Sequence, residues 1–331
     1  MTVTSVPGRV VLAVMTVLAL IGVAAFVRDV TRRLTDPPAP QAARQAPGGP
    51  VFERVAYPAR TIARDAKGSI IATFTDGART VVLTGPSRTF AEPRTTAATV
   101  TTTAWVRLAP EPWRAGAERA DWFAPWFAAT HSEPDALAVA MEYIDGARAR
   151  TDGAGVRYGG DAQFGPQAPG EGRLEQSDFY DYLGVDWHFP DKIRRPDPTR
   201  YGAVDCSGFV RLVYGYRLGY PTRADNAPGP GLPRRAYALA GHGVELVANT
   251  TATATDYTAL QPGDLLFFDT EGAPDQLDHA GIYLGTDNTG HHRFISSRAM
   301  ANGPTLGDLG GTSLLDDNGR YSRQWRAARR L

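Results

Sequence analysis

The apolar and polar positions fall into different rhythms along the chain. Residues 10–27, VVLAVMTVLALIGVAAFV, are apolar without interruption by a charge. At 1.5 Å of rise per residue, a helix of this length is about the shortest that crosses a bilayer. No small-x-small pattern follows the run directly. The pattern therefore predicts a tail at 1–9 and an uncleaved transmembrane anchor at 10–28, with a cleaved signal peptide as the alternative. Residues 29–50 end in DPPAPQAARQAPGGP, which has no apolar period and predicts a semi-extended linker.

The rhythm changes over 51–131. SIIATF (69–74), TVVLTG (80–85) and TAWVRLA (103–109) are rich in β-branched and aromatic residues, and Asp76-Gly77 and Gly85-Pro86 supply turns between them. These runs predict a small β-rich spacer region. From Ser132 the apolar residues follow a helical period through Ala136, Leu137, Val139, Ala140, Met141, Tyr143 and Ile144, with Asp135 three residues after Ser132 and Gly146 as a stop. A polar, Pro- and Asp-containing stretch at 161–203 is too long for a simple connection and reads as an insertion. Then come DCSGFVRLVYGY, LQPGDLLFFD, DHAGIYLG and HHRFISSR. One helix followed by several strands predicts an α+β domain with an antiparallel sheet, spanning 132–331.

Composition narrows the function classes. Hydrophobic residues make up 43%, so a packed core is expected, and the net charge is +0. That balance argues against a nucleic-acid partner. One cysteine excludes a disulfide framework and a multi-cysteine zinc site. No carboxylates or histidines stand at metal-ligand spacing, and no cofactor is expected. His242 lies between two glycines and reads as an exposed loop residue. Trp113, Trp122 and Trp126 read as packing at a domain junction. The sequence does not define an oligomeric state.

The one cysteine, Cys206, opens a predicted helix. Free thiols mostly keep their proton at neutral pH, and a helix N-terminus favours the thiolate that cysteine chemistry needs. The helix-end N–H groups are also candidate oxyanion donors. A base is required as well. His279 opens HAGIYLG, whose alternation puts His279, Gly281 and Tyr283 on one face and Ala280, Ile282 and Leu284 on the other.

Asp205-Cys206-Ser207-Gly208, Pro262-Gly263-Asp264-Leu265 and His279-Ala280-Gly281-Ile282-Tyr283 resemble, in order, motifs of the NlpC/P60 family of bacterial cell-wall cysteine peptidases, which have a papain-like fold. Tyr158-Gly159-Gly160 resembles the family's aromatic-Gly-Gly turn. The resemblance implies Cys206 as nucleophile and His279 as base. It implies substrate-binding roles for Asp205, Ser207 and Tyr158. It also implies peptidoglycan stem peptides as substrate, cut between D-glutamate and a diamino acid, by a domain on the wall side of the membrane. Two features depart from it. The strand that in the family supplies a His to orient the base reads Phe294-Ile295-Ser296-Ser297. Ser296 is then the first candidate for that role, His292 the second, and a residue of the insertion the third. Arg28, Arg32 and Arg33 outnumber Arg9 across the apolar run, which by the positive-inside rule favours the opposite orientation. The rival readings are a scaffold that keeps the fold, and an amidase or acyl transferase using the same dyad.

Overall fold

The computed structural model describes residues 49–129, 135–271 and 277–331. The anchor expected over 10–28 lies outside the described residues, and among those described no helix is long and apolar enough to cross a membrane.

Five antiparallel strands form a meander in sequence order: β1 (Val51–Val55), β2 (Arg60–Arg64), β3 (Ile70–Thr75), β4 (Thr80–Ala91) and β5 (Thr99–Leu108). The last three coincide with the runs of β-branched residues. One face buries Ala63, Ala72, Phe74, Val81 and Leu83 against Trp113 and Phe123. Trp113 stacks on Phe74 at 4.0 Å, and its indole N–H donates to Thr61 Oγ1 at 3.0 Å. Trp122 and Trp126 pack around the same cluster, so these aromatics are structural.

The helix expected from Ser132 is shorter, Ala136–Met141, and Asp135 itself caps it by accepting from Ala138 N at 2.8 Å. The chain then turns and buries Tyr143, whose hydroxyl donates to Tyr158 O at 2.7 Å. Short pairings follow: β6 (Arg150–Thr151) with β7 (Arg157–Gly159), β8 (Gln167–Ala168) with β9 (Gly172–Arg173), and β10 (Trp187–His188) with β11 (Ile193–Arg194). The last two pairs, with a helix at Phe179–Leu183 between them, occupy the insertion.

The second sheet has six antiparallel strands: β12 (Val244–Val247), β13 (Leu265–Phe268), β14 (His279–Thr286), β15 (His292–Arg298), β16 (Gly303–Thr305) and β17 (Trp325–Arg330). Their order is β12-β17-β13-β14-β15-β16. Period-two alternation divides the side chains. Leu265, Phe267, Ala280, Ile282, Leu284, Ile295 and Ala327 share a core with Phe209, Val210 and Val213 of the Cys206 helix. Leu266, Phe268, Tyr283, Phe294 and Ala328 form a separate cluster with Tyr321 and Trp325. The α+β class and the antiparallel sheet thus agree with the pattern in the sequence.

The meander is bonded into this core. Phe90, Val100 and Val106 join the cluster under the Cys206 helix. Arg79 N and Thr80 N both donate to Leu331 O at 2.6 Å, and Glu92 accepts from Thr305 Oγ1 at 2.8 Å and Leu306 N at 2.9 Å. Gly263 permits the approach: its φ is +93°, and a Cβ there would lie 2.7 Å from Val106. Residues 50–331 consequently form one compact unit.

Candidate active site

Cys206 is the first residue of the helix Cys206–Val210, which continues as a π-helix over Arg211–Arg217. Asp205 is the N-cap, and its Oδ1 accepts from Gly208 N at 2.7 Å. The same carboxylate also takes Ser207 Oγ at 3.1 Å, Gln176 N at 3.0 Å, and Arg234 Nη1 and Nη2 at 3.2 and 2.6 Å. Arg234 Nη1 donates to Ser207 Oγ as well, at 2.7 Å. Burial pushes the Asp205 carboxyl up, but Arg234 and the donated hydrogen bonds outweigh it and hold the pKa below the ordinary value. Asp205 and Ser207, expected as substrate contacts, are here engaged in fixing Arg234 and the helix start. Gly208 is required by packing, since a Cβ would sit 2.3 Å from Ser177 O of the insertion.

The Cys206 thiol meets the backbone around His279. Sγ donates to Asp278 O at 3.6 Å and receives a backbone hydrogen bond from Ala280. No hydrogen bond joins the thiol to the imidazole. Both residues are nearly enclosed, Cys206 at 4% and His279 at 8% exposure. The His279 ring packs on Tyr321 and Phe268, with centroids 5.4 and 5.8 Å away. Its Nε2 is buried without a hydrogen-bond partner among the described residues.

These surroundings set the charge states. Burial raises the thiol pKa far above its ordinary value, with Asp205 and Glu175 adding to the rise. The thiolate expected from a helix N-terminus is therefore not the resting form, because desolvation and two nearby carboxylates outweigh the helix end. Burial also pushes the His279 pKa down to about 3, and Arg298 and Arg320 act in the same direction. Both shifts favour the neutral forms, thiol and imidazole.

After burial, Arg298 is the largest influence on His279. β14 and β15 pair Ile282 with Ile295 and Tyr283 with Phe294, and the charge of Arg298, further along β15, acts on the His279 ring. The Arg298 guanidinium is buried and stacks on Tyr321 at 4.3 Å. It donates to Ser296 Oγ at 2.9 Å and to Gly311 O at 2.6 Å, and no carboxylate pairs with it among the described residues. Ser296 is thus engaged by Arg298, two residues along its own strand, and makes no hydrogen bond with His279. His292 Nδ1 lies 2.6 Å from Tyr283 Oη, and its ring stacks on Tyr257. Tyr158 lies beside Arg217, whose guanidinium is 5.1 Å from its ring. Arg217 stands at the far end of the helix that Cys206 begins.

A cavity of about 370 Å³ is lined by Glu175, Arg235, Tyr237, Glu271, Leu277 and Asp278, and Asp278 is the residue whose carbonyl meets the thiol. Sequence reasoning missed Glu175. Its only signal was a carboxylate within the unassigned insertion, and the fold alone brings it to the cleft.

Residues 194–305 match the model of the NlpC/P60 family, and that span contains Cys206, His279 and Ser296. A crystal structure of an NlpC/P60 family protein from Bacillus cereus is similar at 14% identity, over 86% of this chain and 80% of that one, with a TM-score of 0.27. No curated protein matches the sequence significantly. The family match supports a function of the cell-wall peptidase type.

Proposed function

Starting from an NlpC/P60 segment that carries both Cys206 and His279, we propose that this protein is a cysteine peptidase acting on peptidoglycan stem peptides. The observation that carries the reading is the placement of Cys206: first residue of a capped helix, beside a cleft, with its sulfur against the backbone on either side of His279. In this reading a His279 ring nitrogen removes the thiol proton as Sγ attacks the peptide carbonyl. The imidazolium then returns the proton to the leaving amine, and water hydrolyses the thioester. Because the neutral forms are favoured, the proton moves as attack begins. The helix-end amides of Cys206 and Ser207 are the nearest candidates to stabilise the oxyanion. Residues 10–28 would hold the enzyme to the membrane, with the cleft facing the wall.

Purified peptidoglycan fragments incubated with the protein and resolved by mass spectrometry test the assignment. The expected products are peptides severed between D-glutamate and the diamino acid. Products cut instead at the sugar–peptide amide would move the protein to the amidase class. The scaffold reading draws on the enclosed thiol and the missing thiol–imidazole hydrogen bond. It predicts binding of the same fragments with no product.

A further inference from the structure

The cleft beside Cys206 is walled on one side by the insertion. Three connections place the thiol at its edge. Asp278, a lining residue, presents its carbonyl to Sγ at 3.6 Å. Gln176, next to the lining residue Glu175, donates its N–H to Asp205. Arg234, next to the lining residue Arg235, grips the same carboxylate. The cavity, about 370 Å³, lies within the range of about 300–1,000 Å³ usual for small-ligand sites.

Its charges are unevenly committed. The Asp278 carboxylate is saturated by Thr270 N, Thr270 Oγ1 and Glu271 N, at 2.6 to 3.0 Å. Glu175 is not saturated. Its side chain is 47% exposed, and it forms an ion pair with Arg235 Nη1 at 3.7 Å, too long for a hydrogen bond, so it stays open to a closer cation. Partial burial and then the charges of Asp205, Glu271 and Asp278 push the Glu175 pKa upward, with Arg235 acting against them. A cation entering the cleft would relieve that crowding. Ala236, Leu277 and the Tyr237 ring supply apolar surface for an aliphatic stem leading to it.

We propose that Glu175 determines specificity, taking the free ammonium group of a substrate side chain that flanks the amide attacked by Cys206. This rests on the peptidase reading for the identity of the reaction. It also links recognition to activation. Glu175 is one of the charges that oppose the Cys206 thiolate. An ammonium group paired with it would cancel that opposition as the substrate arrives.

The test uses the full chain and two peptides of the sequence Ala-γ-D-Glu-Lys-D-Ala, one with free lysine and one with Nε-acetyl-lysine. Calorimetry on Cys206→Ala should show the free amine binding about ten-fold more tightly. Adding Glu175→Gln should bring the ratio close to one. Glu175→Gln alone should speed alkylation of Cys206 by iodoacetamide at pH 8, which a merely structural role would not do. Equal affinity for the two peptides, a ratio unmoved by Glu175→Gln, or no binding of either peptide would overturn the proposal. Hydrolysis of both peptides at equal rates would leave the peptidase reading standing while removing Glu175 from it. Amine-dependent binding without hydrolysis would do the reverse.

Discussion

Replacing Asp205 by Asn tests how the nucleophile is held. The two side chains are nearly isosteric, and the amide oxygen can still accept from Gly208 N. The cap, worth about 1 kcal/mol, is retained. What disappears is the charge facing Arg234, at 2.6 Å between side chains that are 12% and 2% exposed. Stranding one member of a buried ion pair costs about 3–5 kcal/mol. Arg234 keeps a second carboxylate, Asp178, at 3.4 Å, which favours the lower end. We therefore expect a loss of about 3 kcal/mol for Asp205→Asn, and about 4 kcal/mol for Asp205→Ala, where the cap goes too. Urea unfolding followed by tryptophan fluorescence reads both. The sign with pH is fixed by the lowered folded pKa of Asp205. Its contribution is complete above the unfolded value of about 3.9 and fades as pH falls through the lower folded value. The gap between wild type and Asp205→Asn should narrow over that acid range. A loss below about 1 kcal/mol at pH 7 would show that the pair does not secure the helix start.

Other consequences follow from the same geometry. His279 holds a pKa of about 3 against an ordinary 6.5, so the unfolded chain binds its proton first. The His279 contribution is therefore complete above about 6.5 and declines toward pH 3, by at most about 1.4 kcal/mol per pH unit. Unfolding curves for His279→Gln should lack that part of the pH dependence. The raised thiol pKa predicts that iodoacetamide alkylates folded Cys206 much more slowly at pH 7 than it alkylates the urea-unfolded chain, with mass spectrometry as the readout. Asp264→Ala strands Arg330, which makes two hydrogen bonds of 2.7 Å to Asp264 and one to Thr75 of the meander. It should cost about 3–5 kcal/mol in urea unfolding.

What the sequence disclosed was local. Asp205-Cys206-Ser207-Gly208 announces its helix because the cap acts within one turn, from Gly208 N to Asp205 Oδ1. The alternation of HAGIYLG survives in the strand because its two faces bury different clusters. Features set by distant partners were not legible. Strands 51–108 carry no sign that Leu331 would bond to Arg79 and Thr80. Ser296 occupies the place expected for a partner of His279, yet its hydroxyl is taken by Arg298, and nothing in the local sequence shows that the Arg298 charge would act on the imidazole. Glu175 reaches the cleft because Asp205 fixes the neighbouring Gln176 across 205 − 176 = 29 residues of sequence.

The central claim is that Cys206 is the nucleophile of a cell-wall peptidase. Its most direct test is a time course on peptidoglycan stem peptides, comparing wild type with Cys206→Ala and monitored by mass spectrometry for an acyl-enzyme adduct and for released peptide. The account predicts that wild type forms both and that Cys206→Ala forms neither while still binding the peptide. Equal release by the two proteins would contradict it.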